Sequence, residues 1–388
     1  MKDNTNEEIM ESQNQLQQPQ QRSEGTTFLR TCLNGLNVVS GVGILSIPYA
    51  LSQGGWLSLI ILFLVAVLCW YTGLLLRRCM DANPLIKTYP DIGDLAFGCK
   101  GRAMVSILMY LELYFVAVEF LILEGDNLEK LFPNFGFIIS GLKIGGKQGF
   151  VLLTALIIWP TTWLRSLGIL AYVSAGGVLA SITLVACVLW VGAVDGVGFH
   201  ERGKLLNWGG LPTAVSLYTF CYCGHSVFPT LCSSMKDRRQ FSKVKKGFSS
   251  LLYYKHRQLW INGNIRIPDV WGSFEVSIII TPIATALEDT PHLRKSRPIS
   301  ILVRTVLVIS TVIVAITIPF FGYVLAFTGS FLGVTVSILL PCLCYLRINK
   351  TARRFGLELM LIVGILLIGA LAAVVGTYTS LKQIVTHL

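Results

Sequence analysis

Charge is what this 388-residue chain has least of. Asp, Glu, Lys and Arg make up 14% of it, against 53% hydrophobic residues. A soluble domain carries roughly 25% charged residues, so the deficit argues against one. Histidine is scarce too: the five stand apart at positions 200, 225, 256, 292 and 387, which excludes a histidine-rich diiron membrane enzyme. No nucleophile and base stand at a recognisable spacing, so no enzyme is expected. Residues Gly141-Leu142-Lys143-Ile144-Gly145-Gly146-Lys147-Gln148 approach a phosphate-binding loop but lack the Ser or Thr that binds magnesium. Residues 1–25 lack an apolar core and are rich in Gln, Asn and Glu, which excludes a signal peptide and predicts a disordered cytosolic tail. Ten cysteines are present, but none falls in a stretch expected outside, so no disulfide framework is expected. Cys221-x-Cys223 and Cys342-x-Cys344 lack the partner pairs of a zinc site, and no metal is expected.

What is abundant is apolar runs of about 20 residues, the length that crosses a bilayer. They predict an all-α, polytopic membrane protein that meets the lipid bilayer along most of its length. Spans are expected near 28–50, 56–76, 105–123, 150–164, 168–191, 211–232, 299–326, 331–346 and 357–379. The formal net charge of +11 does not point to nucleic acid, because the basic residues sit in short loops. Excess Lys and Arg mark the cytosolic side. Arg77, Arg78, Lys87, Lys100 and Arg102 place the loop after the second span there, and Glu124–Gly149 is expected outside. The densest basic run, Lys236 to Lys246 with Lys255 and Arg257, follows the 211–232 span. Residues 243–272 hold no candidate span. The next apolar piece, 273–287, carries Pro282 and is short for a crossing. If it crossed alone, the clusters Arg294–Arg297 and Lys350–Arg354 would lie outside, against the charge bias. A dipping or re-entrant piece keeps both inside and is preferred. Four regions result: the tail 1–25, the spans of 26–242, the basic segment 243–272, and 273–388.

Two spans are interrupted. Asn34 to Ala50 carries Gly41, Gly43 and Pro48, and Cys223-Gly224-His225-Ser226-Val227-Phe228-Pro229 breaks the 211–232 span. Irregular backbone at membrane depth is tolerated only where it lines a cavity, and Gly/Pro-interrupted spans point to the substrate site of a carrier.

The chain resembles the amino acid/auxin permease family. The residues that carry this are Asn34–Ala50 with Gly54-Gly55-Trp56, Ile122–Leu128, Gly224–Pro229, Ile280–Thr285 and Leu339–Cys342. The branch is the plant and fungal vacuolar amino acid transporters related to the vesicular GABA transporter. The resemblance implies a LeuT-like fold of eleven spans, the first ten in two inverted repeats. It also implies proton-coupled amino acid transport and a vacuolar or other endomembrane location with a cytosolic N-terminus. The departure is that no seventh span is recognisable here.

In such a site the N–H groups of Val42, Gly43, Ile44 and Leu45 would face the substrate carboxylate at a positive helix end, with Gly41 and Gly43 allowing close approach. Tight helix packing is the other reading of those glycines. Carbonyls near Asn37, Val38 and Tyr222 to Gly224 would hold the amino group, and Thr281 would face the substrate side chain. No cation lies in the middle of the lining spans, so neutral amino acids are expected. His225 either carries the coupling proton or caps broken backbone as a neutral imidazole. Glu112 and Glu119, seven apart on one helix face, are intramembrane acids of the kind that relay protons; Glu112 is preferred, since Glu119 could instead snorkel to the interface. Asn34 and Thr281 mark either a sodium site or interhelical hydrogen bonds. A proton is expected as the coupling ion before sodium, and no cofactor is expected. The other functional reading is a truncated, non-transporting membrane isoform.

Overall fold

A computed structural model describes residues 27, 30–31, 42–133, 136–139, 142–163, 176, 179, 183, 204–222, 224–235, 275–288, 297–318 and 321–387. The elements are α1 (Val42–Gly54), α2 (Ser58–Ala82), α3 (Tyr89–Leu131), the hairpin β1 (Phe137–Ile139) and β2 (Leu142–Ile144), α4 (Gly146–Thr162), α5 (Leu211–Cys221), α6 (Phe228–Ser234) and α7 (Glu275–Glu288). They are followed by α8 (Arg297–Thr317), α9 (Phe321–Ile348), a 3₁₀ turn at Lys350–Arg353 and α10 (Leu357–His387). Five of them, α2, α3, α8, α9 and α10, are long and apolar enough to cross a membrane. Of the predicted span at 168–191 only residues 176, 179 and 183 are described, and the segment 243–272 lies outside the described residues.

α3 differs most from expectation. The span predicted at 105–123 runs on to Leu131, so Glu124 is a buried helical residue and not part of an outer loop. The extension is held by packing on α4, with an ion pair from Lys147 to Asp126 at 2.5 Å. At its other end the predicted loop contains a helical turn. Thr88 and Asp91 form a capping box, Pro90 occupies the first turn, and Gly98 reverses the chain at φ 68°, where L side chains are disfavoured. Arg102 thereby meets Asp91 at 2.9 Å, eleven residues back.

The boundary between the spans predicted at 299–326 and 331–346 also moves. α8 ends at Thr317 and α9 starts at Phe321. Thr317 closes α8 well short of the predicted end at 326, and Pro319 lies outside the described residues. α9 is continuous but contains two π-helical stretches, Thr328–Gly333 and Thr335–Leu339. Smaller differences are that α1 runs four residues past the predicted end and α10 continues past 379.

The two ends of the bundle are chemically distinct. At one end Arg78 bonds Glu358 at 2.7 Å, Arg347 donates to Ala96 O at 3.2 Å and Ser233 donates to Lys87 O at 2.7 Å. This basic end gathers the close of α2, α6 and α9 and the start of α3 and α10. The β-hairpin caps the other end. Three residues separate α8 from α9, which is about 42 Å long and finishes at the basic end; α8 therefore starts at the basic end. α6 also finishes there. Ser234 and Arg297 thus lie at the same end of the bundle. α7, at about 21 Å, is shorter than a bilayer core. The Lys350–Arg354 cluster shares its end with Arg77 and Arg78, as the charge bias requires.

Candidate functional site

α5 and α6 are two halves of one interrupted span, with residues 222–227 between them. The backbone closes the first half tightly, Tyr222 N–H donating to Thr219 O at 3.0 Å. Pro229 starts the second half in its first turn, where no intrahelical N–H is needed. Gly224 O accepts from Val227 N–H at 3.1 Å, which rounds the turn.

Three elements converge on this break. From α3, Glu112 accepts a short hydrogen bond from the Ser226 hydroxyl, and both residues are 2% exposed. From α2, Thr72 Oγ1 stands 3.1 Å and Cys69 O 3.2 Å from His225 Nε2. A carbonyl only accepts, so Nε2 carries the proton in this arrangement. The Phe228 ring stacks on the imidazole at 5.5 Å. His225 thus pins the break to α2, bonding a carbonyl of that unbroken helix and not the broken backbone itself.

From α1, the first turn lies against the last turn of α5. Cys221 Sγ donates to Gly43 O at 2.7 Å, and Ser46 Oγ donates to the same oxygen at 2.9 Å. A Cβ on Gly43 would stand 2.8 Å from Cys221 Cα. Packing of two backbones is therefore sufficient reason for glycine at 43. α1 begins at Val42, so the N–H groups of Val42, Gly43, Ile44 and Leu45 form its first described turn. Asn34, Asn37, Val38 and Gly41 lie outside the described residues.

The remaining candidates stand further off. Glu119 is fully buried one stripe along α3, beside the Thr328 hydroxyl of the first π stretch and within the field of Glu112. Burial removes the snorkelling reading. That hydroxyl donates to Val324 O at 3.0 Å, and among the described residues neither Glu119 oxygen has a well-formed hydrogen bond. Thr281 is buried on α7, which packs on α3, α4 and α8, and accepts from Thr285 at its backbone oxygen.

Three residues were not anticipated. Ser226 was signalled only by following His225 at the break. Glu124 was hidden by its assignment to a loop. Arg304 is a buried cation on α8, donating to Thr162 O at 2.7 Å at the carboxyl end of α4. Cations near a helix end satisfy its last carbonyls. Its helix packs on α3, α4 and α7, away from α1 and α5.

Comparison with known proteins now bears on this arrangement. The family model described as "Transmembrane amino acid transporter protein" matches residues 24–254 and 273–382. The chain belongs to that family. The Arabidopsis thaliana protein named Amino acid transporter AVT1I is 44% identical, over 93% of this chain and 96% of that protein. Amino acid transporter AVT1B of the same organism is 41% identical, over 94% and 73%. The vesicular GABA transporter of Caenorhabditis elegans is 24% identical, over 93% and 81%. Among solved structures, a Na⁺-coupled sialic acid symporter in an outward-open state matches with a TM-score of 0.50 at 11% identity, over 90% of this chain and 89% of that one. That likeness concerns the fold, which is LeuT-like. The family's members are transporters, not enzymes, and the chain is a multi-pass integral membrane protein.

Proposed function

We propose that this chain is a secondary carrier moving neutral amino acids across an endomembrane, the vacuolar membrane by family resemblance, coupled to a proton gradient. One observation carries the reading: a buried carboxylate on α3, Glu112, is tied to the hydroxyl of Ser226 inside the interrupted span. The first turn of α1 supplies N–H donors and a positive dipole end for the substrate carboxylate. Backbone carbonyls near Asn37, Val38 and Tyr222 to Gly224 hold the amino group. Thr281 is assigned to the substrate side chain by the family resemblance, its helix reaching the break across α3. Neutral substrates follow from the lining, since the buried Arg304 is committed to the end of α4.

Protonation of Glu112 lets it donate as well as accept and removes the negative charge that strengthens its bond to Ser226, so that tie weakens. The break is then free to reorganise between the two ends of the bundle. Glu119, one stripe away in a buried position, is the second acid the proton can occupy, and His225 supports the break structurally. The coupling ion in this reading is the proton, with sodium the weaker choice.

The test is binding to the purified protein by thermal stabilisation, with neutral, acidic and basic amino acids at acidic and neutral pH. Stabilisation by neutral amino acids that strengthens at acidic pH is expected. Equal stabilisation by acidic amino acids would overturn the neutral specificity.

A non-transporting form is the second reading, and one observation favours it. The family match stops at 254 and resumes at 273, next to a helix too short to cross. Binding without uptake would select it.

A further inference from the structure

We infer that the basic end of the bundle holds an anionic phospholipid headgroup, where the Gly98 reversal of α3 meets the α9–α10 connection. This goes beyond the transport reading and does not depend on it. The two segments are joined by Arg347, whose Nε donates to Ala96 O at 3.2 Å.

Charge accounting singles this junction out. The described acids at this end are already committed. Asp81 pairs with Arg77 at 2.9 Å, Asp91 and Asp94 share Arg102, and Glu358 pairs with Arg78 at 2.7 Å. Arg353 is spent on the last carbonyls of α9, Leu346 O and Arg347 O. Four cations remain, Lys87, Lys100, Lys350 and Arg354. All are exposed, and none has a side-chain hydrogen bond or ion pair among the described residues. Orientation in the membrane needs only a surplus of positive charge at one end. It does not require that the surplus be left free around one junction.

The rim is apolar. Leu95, Phe97, Phe355 and Leu357 are exposed, Phe355 at 92%. Aromatic and aliphatic side chains beside free Lys and Arg, next to the ends of spanning helices, match a membrane interface. A lipid satisfies both halves, its phosphate meeting Lys100, Lys350 and Arg354 while its acyl chains meet Phe97, Phe355 and Leu357. An inorganic anion would use only the first half, so the occupant is a lipid.

The experiment is titration of the full-length purified protein in detergent with a short-chain, soluble anionic phospholipid. Phosphatidylcholine of the same chain length and inorganic phosphate serve as comparators. Saturable binding of the anionic lipid is expected, with neither comparator matching it at equal concentration. Each juxtamembrane cation contributes about 1 kcal/mol to anionic lipid attraction. Lys100→Ala, Lys350→Ala and Arg354→Ala should therefore each weaken binding roughly fivefold, and the triple variant about a hundredfold. Among the described residues the three side chains hold nothing else, so melting temperatures should be unchanged. Phe355→Ser should weaken lipid binding while leaving any weak phosphate binding alone. Wild-type affinity in the triple variant would overturn the proposal. So would equal binding of phosphatidylcholine or phosphate, or a loss that instead follows Lys243→Ala, Lys245→Ala and Lys246→Ala in the other basic run.

Discussion

The chain interrupts its helices in two ways, and the two places differ in what they release. Between α5 and α6 the helix stops outright, and its turn is tied to three other helices through Ser226, His225 and Cys221. In α9 the helix is continuous and merely widened. Thr328 and Ser330 return their hydroxyls to carbonyls one turn back at 3.0 and 2.8 Å, and Tyr89 Oη covers Val336 O at 2.7 Å. π stretches recur at functional sites, but here the loosened carbonyls are answered from within the bundle. A full break offers backbone to a ligand, whereas a π stretch spends its backbone on its own neighbours. Glu112 faces the first and Glu119 the second, so the two acids should behave differently although they share a helix face.

The largest effect is expected from Gly43→Val. Its side chain would press on the Cys221 backbone and force α1 from α5, and rearrangement of that seam should lower uptake at least a hundredfold. Measured uptake against surface expression checks this; near-normal uptake would remove α1 from the site.

Glu112→Gln comes next. It keeps the shape but cannot release a proton, so uptake should fall about tenfold and lose its dependence on pH, read from initial rates across a pH series. Glu119→Gln should cost less than threefold and move the pH profile without flattening it. If the two variants behaved alike, the distinction between the break and the π stretch would fail.

The smallest effect on the profile belongs to His225. Removing its donor to Cys69 O with His225→Ala should cost stability by roughly 1–3 kcal/mol, seen as a lower melting temperature. The shape of the pH profile should persist. A flattened profile would return the proton to the histidine.

Much of this was legible in the chain itself. The break at 222–227 could be read because Gly224 and Pro229 cannot sustain a helix inside an apolar run. Glu112 could be read because an acid at that depth demands a reason. The capping box Thr88–Asp91 and Pro90 were also there to be read, yet charge alone was taken to define a loop. The continuation of α3 past Leu123 was not legible, since Glu124, Asp126 and Glu129 look like surface until the tertiary structure buries the first and Lys147 of α4 bonds the other two. Nor was the packing role of Gly43, because closeness of Cys221 Cα is a property of two helices and not of either sequence. The end of α8 at Thr317, inside the predicted 299–326 span, was not read either.

The central claim is that a proton moves with a neutral amino acid through the break held by Glu112. The most direct measurement is uptake of labelled neutral amino acids into liposomes containing this 388-residue protein, with and without an imposed pH gradient, beside its Glu112→Gln variant. The account predicts uptake that the gradient accelerates in the parent and fails to accelerate in the variant. Gradient-independent uptake by the parent, or an undiminished response in the variant, would contradict it.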